Sequence, residues 1–328
     1  MSGKIVIRKY GGPEVLEWAE EDLPVPGPGE ALIRQSAIGL NFIDIYQREG
    51  LYPISLPFSP GVEAAGVIEA VGEGVENVGP GDRAAYFGAA SPGSYAEARV
   101  LPADRLVKLP DSIDDVTAAG MMLKGATVEY LIRRTYGVKK GDWVLLHAAS
   151  GGVGSIATQW LNAIGANIIG TVGSQEKAAL AKENGCHHTI LYREEDIVAR
   201  VKEITNGHGV DVVYDSVGKD TFEASLGSLK PRGTMVSFGN ASGPVPDFAP
   251  LLLSQKGSLF LTRPTVKDYY ATPEDFAEGT KALLDAVSSG IVRVSVNQTY
   301  PLREVQQAHR DLEGRKTNAS TVLVPNSV

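Results

Sequence analysis

A glycine-rich segment between a strand pattern and a helix pattern constrains the fold of this chain more than any other feature. The apolar run WVLLH (143–147) predicts a buried strand, the residues AASGGVG (148–154) follow, and a helical pattern begins there. Gly151 permits the tight turn, Gly152 lets a pyrophosphate approach the backbone, and Gly154 lets the helix pack closely on the strand. Because unpaired N–H groups point outward at a helix N-terminus, this context predicts a dinucleotide site.

The motif is a variant, because Ala149 stands where the usual fingerprint has its first glycine. A glycine turn that serves packing alone is the competing interpretation. Strand and helix patterns alternate on both sides of the turn, however, and such alternation is typical of a doubly wound parallel sheet. The six strand patterns are DWVLLHAA, NIIGTVG, HTILY, VDVVYDSVG, TMVSFG and SLFLTRPT. This regular α/β alternation favours dinucleotide binding.

The rest of the chain predicts a second, mainly β domain. Short β-type runs, punctuated by Pro and Gly, fill residues 1–120, and a helical pattern that begins near Asp115 ends at Gly137 as its C-cap. After Thr272 comes a helix and then a β-like tail that returns to the first domain. We therefore expect a catalytic domain in 1–123 plus 268–328 and a cofactor domain in 124–267.

Composition excludes several classes of function. The 328 residues carry a net charge of −8, whereas a nucleic-acid binder usually presents a basic patch, so we expect no nucleic-acid partner. Cys186 is the only cysteine, which excludes an internal disulfide and a cysteine-based zinc site. With no apolar leader at the N-terminus and no apolar run of about 18 residues, we expect a cytoplasmic protein without a membrane span.

The second strand of the alternating region bears on which dinucleotide binds. An NAD site usually has Asp or Glu about 20 residues after the glycine turn. Here that strand ends GTVGS (170–174) without a carboxylate, and Lys177 follows. A helix N-terminus alone favours a 2′-phosphate by only about 0.3–1 kcal/mol, whereas hydrogen bonds from Lys177 and Ser174 add about 1.5–3 kcal/mol each. We predict NADPH, with a solvated Lys177 beside Glu176 as the competing interpretation.

The glycine turn also fits a longer signature: Gly-Asp, two residues, Leu, three residues, two small residues, Gly-Gly-x-Gly, four residues and Gln. Residues 141–159 match it, and Asn162 departs mildly from the basic or small polar residue expected next. With further matching stretches, the whole chain resembles the medium-chain dehydrogenase/reductase family and its quinone oxidoreductase (zeta-crystallin-like) group. Those stretches are GGPEVL (11–16), AIGLNFIDIYQREGLYP (37–53), GVEAAGVIEAVGEGV (61–75), DVVYDSVG (211–218), MVSFGNASG (235–243) and KGSLFLTRP (256–264). The resemblance implies a GroES-like catalytic domain and a Rossmann cofactor domain.

The resemblance also implies a metal-free site. In zinc-dependent relatives a Cys and a His bind catalytic zinc, and the matching positions here are Asn41 and Val62, neither of which suits zinc. None of the five histidines has ligand spacing, so we expect all of them to be structural or solvent-facing. These are His147, His187, His188, His208 and His309.

The resemblance implies a set of site residues. Asn41, Tyr46 and Tyr52 line the nicotinamide and substrate end, although Tyr52 as an ordinary turn residue is the competing interpretation. The residues implied to bind the cofactor are Asn41, Tyr46, Thr127, Tyr130, Gly152, Val153, Gly173, Ser174, Lys177, Tyr192, Ser216, Phe238, Gly239, Arg263, Arg315 and Asn318. Arg263 alone has the plainer interpretation of a surface ion pair.

The function implied is a zinc-independent NADPH:quinone oxidoreductase that transfers hydride to a quinone in the interdomain cleft. An NADPH-dependent enone or enoyl reductase is the first alternative, and a non-catalytic NADPH-binding structural protein is the second. The residues identify neither the proton donor nor the physiological acceptor. The last strand pattern, at 257–265, predicts an exposed sheet edge, through which we expect a homodimer.

Overall fold

Two units, each with its own sheet and core, make up the computed structural model, which describes residues 1–88 and 91–325. The first unit contains Met1–Lys124 and Val294–Val328, and the second contains Gly125–Arg293. The first division between them falls inside one continuous helix, Asp115–Tyr130.

Among the described residues of its first segment, the first unit has seven strands and two helices. In chain order these are β1 (Ser2–Val6), β2 (Glu17–Glu21), β3 (Glu30–Leu40), α1 (Phe42–Glu49), β4 (Glu63–Val71), β5 (Arg83–Phe87), β6 (Ala98–Pro102), β7 (Val107–Lys108) and α2 (Asp115–Tyr130). Short 3₁₀ turns cover Pro13–Val15 and Ala103–Arg105. Gly50, in the left-handed conformation at φ 83°, ends α1 as its C-cap.

The second unit follows with alternating strands and helices. They are β8 (Trp143–Leu146), α3 (Gly152–Ile164), β9 (Asn167–Val172), α4 (Gln175–Glu183), β10 (His188–Leu191), α5 (Ile197–Ile204), β11 (Val210–Asp215), α6 (Phe222–Ser228), β12 (Leu229–Ser237), α7 (Leu251–Gln255), β13 (Phe260–Thr262), α8 (Val266–Tyr269) and α9 (Pro273–Ser288). The side chains of Ser174, Asp196 and Thr272 accept capping hydrogen bonds at the starts of α4, α5 and α9.

The C-terminal tail completes the sheet of the first unit. It contributes β14 (Val296–Pro301), a 3₁₀ turn at Leu302–Glu304, α10 (Val305–Glu313) and β15 (Ser320–Val324). The strand order is β14-β15-β3-β4-β5-β7, with β6 also paired to β3. β15 runs antiparallel to β3, so the tail rejoins the sheet formed by the first part of the chain. The end of the predicted tail, 326–328, lies outside the described residues.

The sheet of the second unit is wholly parallel, in the order β10-β9-β8-β11-β12-β13. The chain moves outward from β8 to β10, then returns to β11 on the other side of β8. That reversal creates a switch point between β8 and β11, where doubly wound sheets bind ligands at their carboxyl ends. The predicted combination of a mainly β domain and a doubly wound parallel sheet is confirmed.

Each unit buries its own apolar cluster. In the first, Ile33, Ile38 and Leu40 of β3 pack with residues of β1, β4 and α10. In the second, Leu145 and Ile169 represent central strands that are apolar on both faces, as covered parallel strands are. Within the described residues, no helix is both long enough and apolar enough to span a membrane.

The structural division departs from the predicted domain limits at its second crossing. The first crossing follows Lys124, one residue from the predicted limit, but the second lies after Arg293 rather than after 267. The physical reason is that α9 belongs to the second unit, where Leu283 packs against Gly125 and the Tyr270 hydroxyl donates to the carbonyl of Ala126 at 3.2 Å. The catalytic and cofactor roles of the two domains stay a prediction.

The predicted helix end at Gly137 is wrong. A π-helical turn over Leu131–Thr135 follows α2 directly, and Tyr136 is the C-cap. The extra residue of a π-turn ends the helical ladder early, so Gly137 lies outside the helix.

Candidate active site

The glycine turn lies at the carboxyl end of β8, next to the switch point. β8 ends at Leu146, and α3 begins at Gly152 with Gly151 as its N-cap. A Cβ on Gly154 would lie 2.2 Å from the carbonyl oxygen of Ala148, so no larger residue fits there. The turn therefore presents backbone N–H groups at the start of a 13-residue helix, an arrangement that binds pyrophosphate.

Ala149, the departure from the usual fingerprint, is fully buried against the neighbouring strand. On β9, a Cβ at Gly170 would lie 2.6 Å from the Ala149 side chain and 2.8 Å from Cys186 Sγ. The lack of a side chain at Gly170 makes the room that the methyl group of Ala149 occupies.

A buried polar cluster supports the turn that follows β11. The Asp215 carboxylate accepts hydrogen bonds from the N–H groups of Val217 at 2.8 Å and Gly218 at 3.0 Å. It also accepts one from Ser225 Oγ at 2.7 Å, and His147 Nε2 lies 3.0 Å from the same Oγ. Burial lowers the pKa of the His147 ring. Because the Ser225 hydroxyl donates to Asp215, His147 Nε2 is the donor to Ser225 Oγ, and Nδ1 lies 3.0 Å from Thr171 Oγ1.

The tip of β9 carries the residues predicted to bind a 2′-phosphate. Ser174 caps α4, and its Oγ accepts a hydrogen bond from the Lys177 N–H at 3.3 Å. Tyr192, which follows β10, lies against Gly173, where a Cβ would come within 2.9 Å of the tyrosine hydroxyl. The Ser174 and Tyr192 hydroxyls therefore lie beside the tip, Lys177 follows in the first turn of α4, and Glu176 is exposed.

The ends of three further strands lie along the same edge. Gly239, after β12, has no room for a side chain, because a Cβ would lie 2.3 Å from the carbonyl oxygen of Ser216. Phe238 donates its N–H to the Asp215 carbonyl at 2.8 Å. Arg263, after β13, donates from Nη1 to the Gly239 carbonyl at 3.2 Å. The structure thus brings Ser216, Phe238, Gly239 and Arg263 together, and their binding roles stay a prediction.

Thr127 and Tyr130 are both buried on α2. The Tyr130 ring stacks on Tyr269, with centroids 4.7 Å apart and an interplanar angle of 17°. Burial raises the pKa of the Tyr130 phenol, and the positive charge of Arg263 opposes that rise. This electrostatic interaction means that Tyr130 lies near the strand-end residues of the same unit.

In the first unit, Asn41 is bonded to a buried carboxylate. Asn41 is the N-cap of α1, and its Nδ2 donates to Glu63 Oε1 at 2.7 Å. Lys124 Nζ donates to the same oxygen at 2.8 Å, and the Leu123 N–H donates to Glu63 Oε2 at 2.6 Å. Glu63 is fully buried, and Lys124 and Asn41 are 5% and 8% exposed. Glu63 and Lys124 therefore form a buried ion pair, and Glu63 also holds the side-chain amide of Asn41.

Tyr46 and Tyr52 form an aromatic pair at the end of α1. Their rings meet edge to face with centroids 5.3 Å apart, and the Tyr52 N–H donates to the Tyr46 carbonyl at 3.1 Å. Phe42 extends the pair, at 6.2 Å from Tyr46. The structure therefore gathers these tyrosines close to Asn41 in the chain, with Tyr46 buried and Tyr52 half-buried, and their contact with substrate stays a prediction.

A second buried chain of hydrogen bonds leads away from Asn41. The Asn41 N–H donates to Asp44 Oδ2 at 2.9 Å, and the Tyr95 hydroxyl donates to the same oxygen at 2.8 Å. His309 Nε2 lies 3.1 Å from the Tyr95 oxygen, and Arg48 Nη1 lies 3.0 Å from His309 Nδ1. Asp44 Oδ1, although buried, has no hydrogen-bond partner among the described residues.

Arg315 and Asn318 lie in the loop between α10 and β15. Arg315 is exposed and adopts φ 57°, and Asn318 Oδ1 accepts a hydrogen bond from Asn297 Nδ2 at 2.5 Å. Both belong to the first unit, and their predicted contact with a cofactor stays a prediction, as does the predicted interdomain cleft.

The donors near Asn41 do not fit a zinc ion. Val62 is buried and aliphatic, the Asn41 amide is committed to Glu63, and the Glu63 carboxylate is already paired with an ammonium group. Zinc in proteins takes thiolates, imidazoles or unpaired carboxylates. Among residues 1–88 and 91–325, no group of three or more His, Cys, Asp or Glu side chains has an arrangement that could hold a metal ion.

The buried hydrogen bonds of this region were not predicted from the sequence. Glu63, Lys124 and Asp44 have buried polar bonds around Asn41, and His309 is fully buried rather than merely isolated. One signal was available, because Asn41 and Asp44 have the N-cap and N3 spacing of a capping box. Nothing local links Glu63 to Lys124, since 61 positions separate them.

Two family models match the chain. The model described as Alcohol dehydrogenase GroES-like domain matches residues 27–111, and the model described as Zinc-binding dehydrogenase matches residues 152–285. They fall on the mainly β unit and on the parallel-sheet unit respectively. The predicted GroES-like and Rossmann assignment is confirmed, although the donors near Asn41 do not fit the metal in the second model's name.

Similar proteins extend over the full chain. A quinone oxidoreductase of Pseudomonas aeruginosa is 50% identical over 99% of this chain and 100% of its own length. A 2-haloacrylate reductase of Burkholderia sp is 46% identical over 98% of each chain. The crystal structure of Escherichia coli quinone oxidoreductase complexed with NADPH matches with a TM-score of 0.96 and 47% identity, covering 98% of this chain and 100% of that one.

Proposed function

The chain belongs to the quinone oxidoreductase group of the medium-chain dehydrogenase/reductase family, and from that premise we propose that it is an NADPH:quinone oxidoreductase. The observation that carries the proposal is the β9 tip, where Ser174 and Lys177 stand in place of a carboxylate beside a glycine turn. A relative of 47% identity binds NADPH, and relatives of about 50% identity are quinone oxidoreductases.

The residues present fit a dinucleotide phosphate. Gly151 is the N-cap of α3 and Gly152 is its first residue, so no side chain stands at the N-terminus where a pyrophosphate would bind, while Gly154 keeps that helix tight against the turn. Lys177 and Ser174 supply a charge and a hydroxyl for the 2′-phosphate, and Tyr192 flanks them. When bound, NADPH supplies the hydride and the protein supplies binding and orientation.

The substrate end of the site needs neither a metal nor a buried acid in this proposal. A quinone that accepts a hydride develops negative charge on oxygen, and donors aimed at that oxygen stabilise it. Asn41 has a second amide N–H beyond the one given to Glu63, and Tyr46 and Tyr52 provide an aromatic surface for the quinone ring. We assign the proton that completes the hydroquinone to solvent.

A reductase of activated C=C bonds is the second candidate. The specific observation in its favour is the 2-haloacrylate reductase relative at 46% identity. Both reactions add hydride to a conjugated acceptor, so the same donors and the same aromatic pair serve either one.

We also propose that the protein is a homodimer and is cytoplasmic. The support for the dimer is β13, which lies at the edge of the parallel sheet with Phe260 62% exposed. An exposed edge strand offers unpaired backbone groups to a second copy.

Steady-state turnover of chelator-treated protein tests the proposed function. NADPH and NADH would each be oxidised with 1,4-benzoquinone and then with a small enone. Fast turnover with NADPH and quinone, unchanged by chelator, is the expected result. Preference for NADH would contradict the cofactor assignment, loss of activity in chelator would contradict the metal-free site, and turnover with the enone alone would favour the second candidate.

A further inference from the structure

One carboxylate, that of Glu63, collects three hydrogen bonds around Asn41. Asn41 Nδ2 and Lys124 Nζ both donate to Oε1, at 2.7 and 2.8 Å, and the Leu123 amide donates to Oε2 at 2.6 Å. A carboxylate has about four acceptor positions and no donor. With three donors arranged around it, Glu63 is held in one orientation and is unsuited to act as a base.

Space for this carboxylate is made by the absence of a side chain on β3. A Cβ at Gly39 would lie 2.1 Å from Glu63 Oε1 and 2.3 Å from the carbonyl oxygen of Ala119 on α2. In a regular helix the Leu123 N–H points to the carbonyl of Ala119, four residues earlier. Here the Leu123 N–H also donates to Glu63. Glu63 is therefore built into the contact between β3 and α2 rather than placed there by a flexible side chain.

The orientation of the Asn41 amide follows from this arrangement. A carboxylate can only accept, so the Asn41 nitrogen must face Glu63 and the Asn41 oxygen must face away. Lys124 Nζ, 2.8 Å from Oε1, pairs with the same carboxylate oxygen that the Asn41 amide contacts.

We propose that Glu63 and Lys124 are positioning residues for hydride transfer: Glu63 fixes the orientation of the Asn41 amide, and Lys124 holds the Glu63 carboxylate in place through its hydrogen bond to Oε1. This inference rests on the proposed function, in which Asn41 faces the reacting end of the site. It adds two residues that contact neither substrate nor cofactor in the proposal and that act through Asn41.

The test compares Glu63→Gln and Lys124→Met with a matched control. Glutamine has one acceptor oxygen, so Glu63→Gln cannot serve both the Leu123 amide and the Asn41 and Lys124 donors. We expect kcat with NADPH and 1,4-benzoquinone to fall about 10- to 100-fold, the loss that misplacement of a reacting group by about 1 Å produces. The KM for NADPH is expected to stay within about threefold, since the glycine turn and Lys177 are unchanged.

Lys124→Met removes one of the two donors to Glu63 Oε1 and leaves the hydrogen bonds from Leu123 and Asn41 in place. We therefore expect kcat to fall less than in Glu63→Gln, again with the KM for NADPH within about threefold. Lys124→Arg keeps a donor and the charge, and it is expected to recover part of the parent kcat.

The control is Asp115→Asn on the same helix. Asp115 pairs with Arg83 of β5 at 2.7 Å and has no bond to Asn41, so its loss weakens the attachment of α2 without altering the amide. We expect kcat of this variant to equal that of the parent. An equal fall of kcat in Asp115→Asn and Glu63→Gln would overturn the positioning role, as would a folded Glu63→Gln with parental kcat.

A measurement on the parent protein covers the case in which the variants do not fold. In protein labelled with ¹⁵N-asparagine, the Asn41 side-chain signals are identified by their loss in Asn41→Ala. We expect one of the two side-chain protons to resonate well downfield of its position in free asparagine, because that N–H is bonded to a carboxylate. Both protons at their free-asparagine positions would overturn the proposal, and a parent inactive towards quinones would overturn the proposed function together with it.

Discussion

His309 Nδ1 accepts a hydrogen bond from Arg48, and this contact sets the direction of a buried chain of four side chains. An arginine can only donate, so Nδ1 carries no proton and Nε2 must be the donor to Tyr95, 3.1 Å away. The Tyr95 hydroxyl then donates to Asp44 Oδ2, which also accepts the Asn41 N–H. Oδ2 is thereby occupied by donors, and a proton on Asp44 has to reside on Oδ1.

The first prediction concerns the pH dependence of stability. Burial raises the pKa of Asp44 to about 7, and burial with the charge of Arg48 lowers the pKa of His309 to about 3. Folding therefore holds a proton on Asp44 that the unfolded chain releases, so this contribution to stability is lost as pH rises towards 7. Folding also excludes a proton from His309, and that contribution is lost as pH falls below about 6.5.

The two contributions oppose each other in the acid range, and Asp44→Asn separates them. This variant mimics the protonated carboxyl, so we expect it to be more stable than the parent at pH 8 by a few kcal/mol. Between about pH 6.5 and 4 it should lose stability more steeply, because the histidine contribution alone remains. Urea unfolding at several pH values measures this, and identical pH profiles for variant and parent would contradict it.

The second prediction concerns the glycine turn. Gly154→Ala places a methyl group 2.2 Å from the Ala148 carbonyl, so α3 has to shift away from the turn. We expect a weaker affinity for NADPH and a loss of stability of about 1–3 kcal/mol, the usual cost of overpacking. Calorimetric titration and thermal unfolding measure the two effects. The control is Gly79→Ala, because nothing lies within 4 Å of the Cβ position at Gly79. Gly74 is unsuitable as a control because its φ of 80° would strain any other residue.

The third prediction concerns cofactor choice. Removal of the ammonium in Lys177→Ala should weaken the binding of NADPH by about 1.5–3 kcal/mol, the value of a charge-assisted hydrogen bond. NADH lacks the 2′-phosphate, so its affinity should hardly change. Lys182→Ala, an exposed residue further along α4, provides a matched loss of charge. An equal loss of affinity for NADPH and NADH in Lys177→Ala would instead show that the substitution disturbs the fold in general.

The fourth prediction concerns association. Phe260→Lys puts a charge on the exposed edge strand, which should shift the protein from dimer to monomer in gel filtration at micromolar concentration. Leu251→Lys changes an exposed side chain of similar character on α7 and serves as the comparison. A parent protein that already elutes as a monomer would remove the basis of the prediction.

The sequence predicts the carboxyl edge of the parallel sheet well because the signals for that edge are local. A strand, a glycine turn and a helix are adjacent in the chain, and parallel strands necessarily align their carboxyl ends, so Gly152, Ser174 and Gly239 fall on one edge.

The end of α2 was not predicted correctly. The π-turn at Leu131–Thr135 has no propensity signal, and an ordinary reading of Gly137 as a C-cap places the end of the helix too late.

The surroundings of Asn41 were beyond prediction for a different reason. Glu63, Lys124 and Asn41 lie on three separate segments, and only the folded sheet brings them to one carboxylate. His309 reaches Tyr95 across 214 positions of sequence. Spacing rules describe one helix or one turn, and long-range hydrogen bonds between buried groups leave no periodic trace.

The methyl group of Ala149 and the bare backbone of Gly170 are two halves of one exchange of volume between adjacent strands. The small residue that the usual fingerprint has in the turn has its counterpart here on β9. An engineer who placed glycine at 149 to match the fingerprint would open a void beside Cys186 instead of improving the site. Transplanting this motif into another scaffold therefore requires carrying β9 along with it, because the turn and the strand fit each other only as a pair.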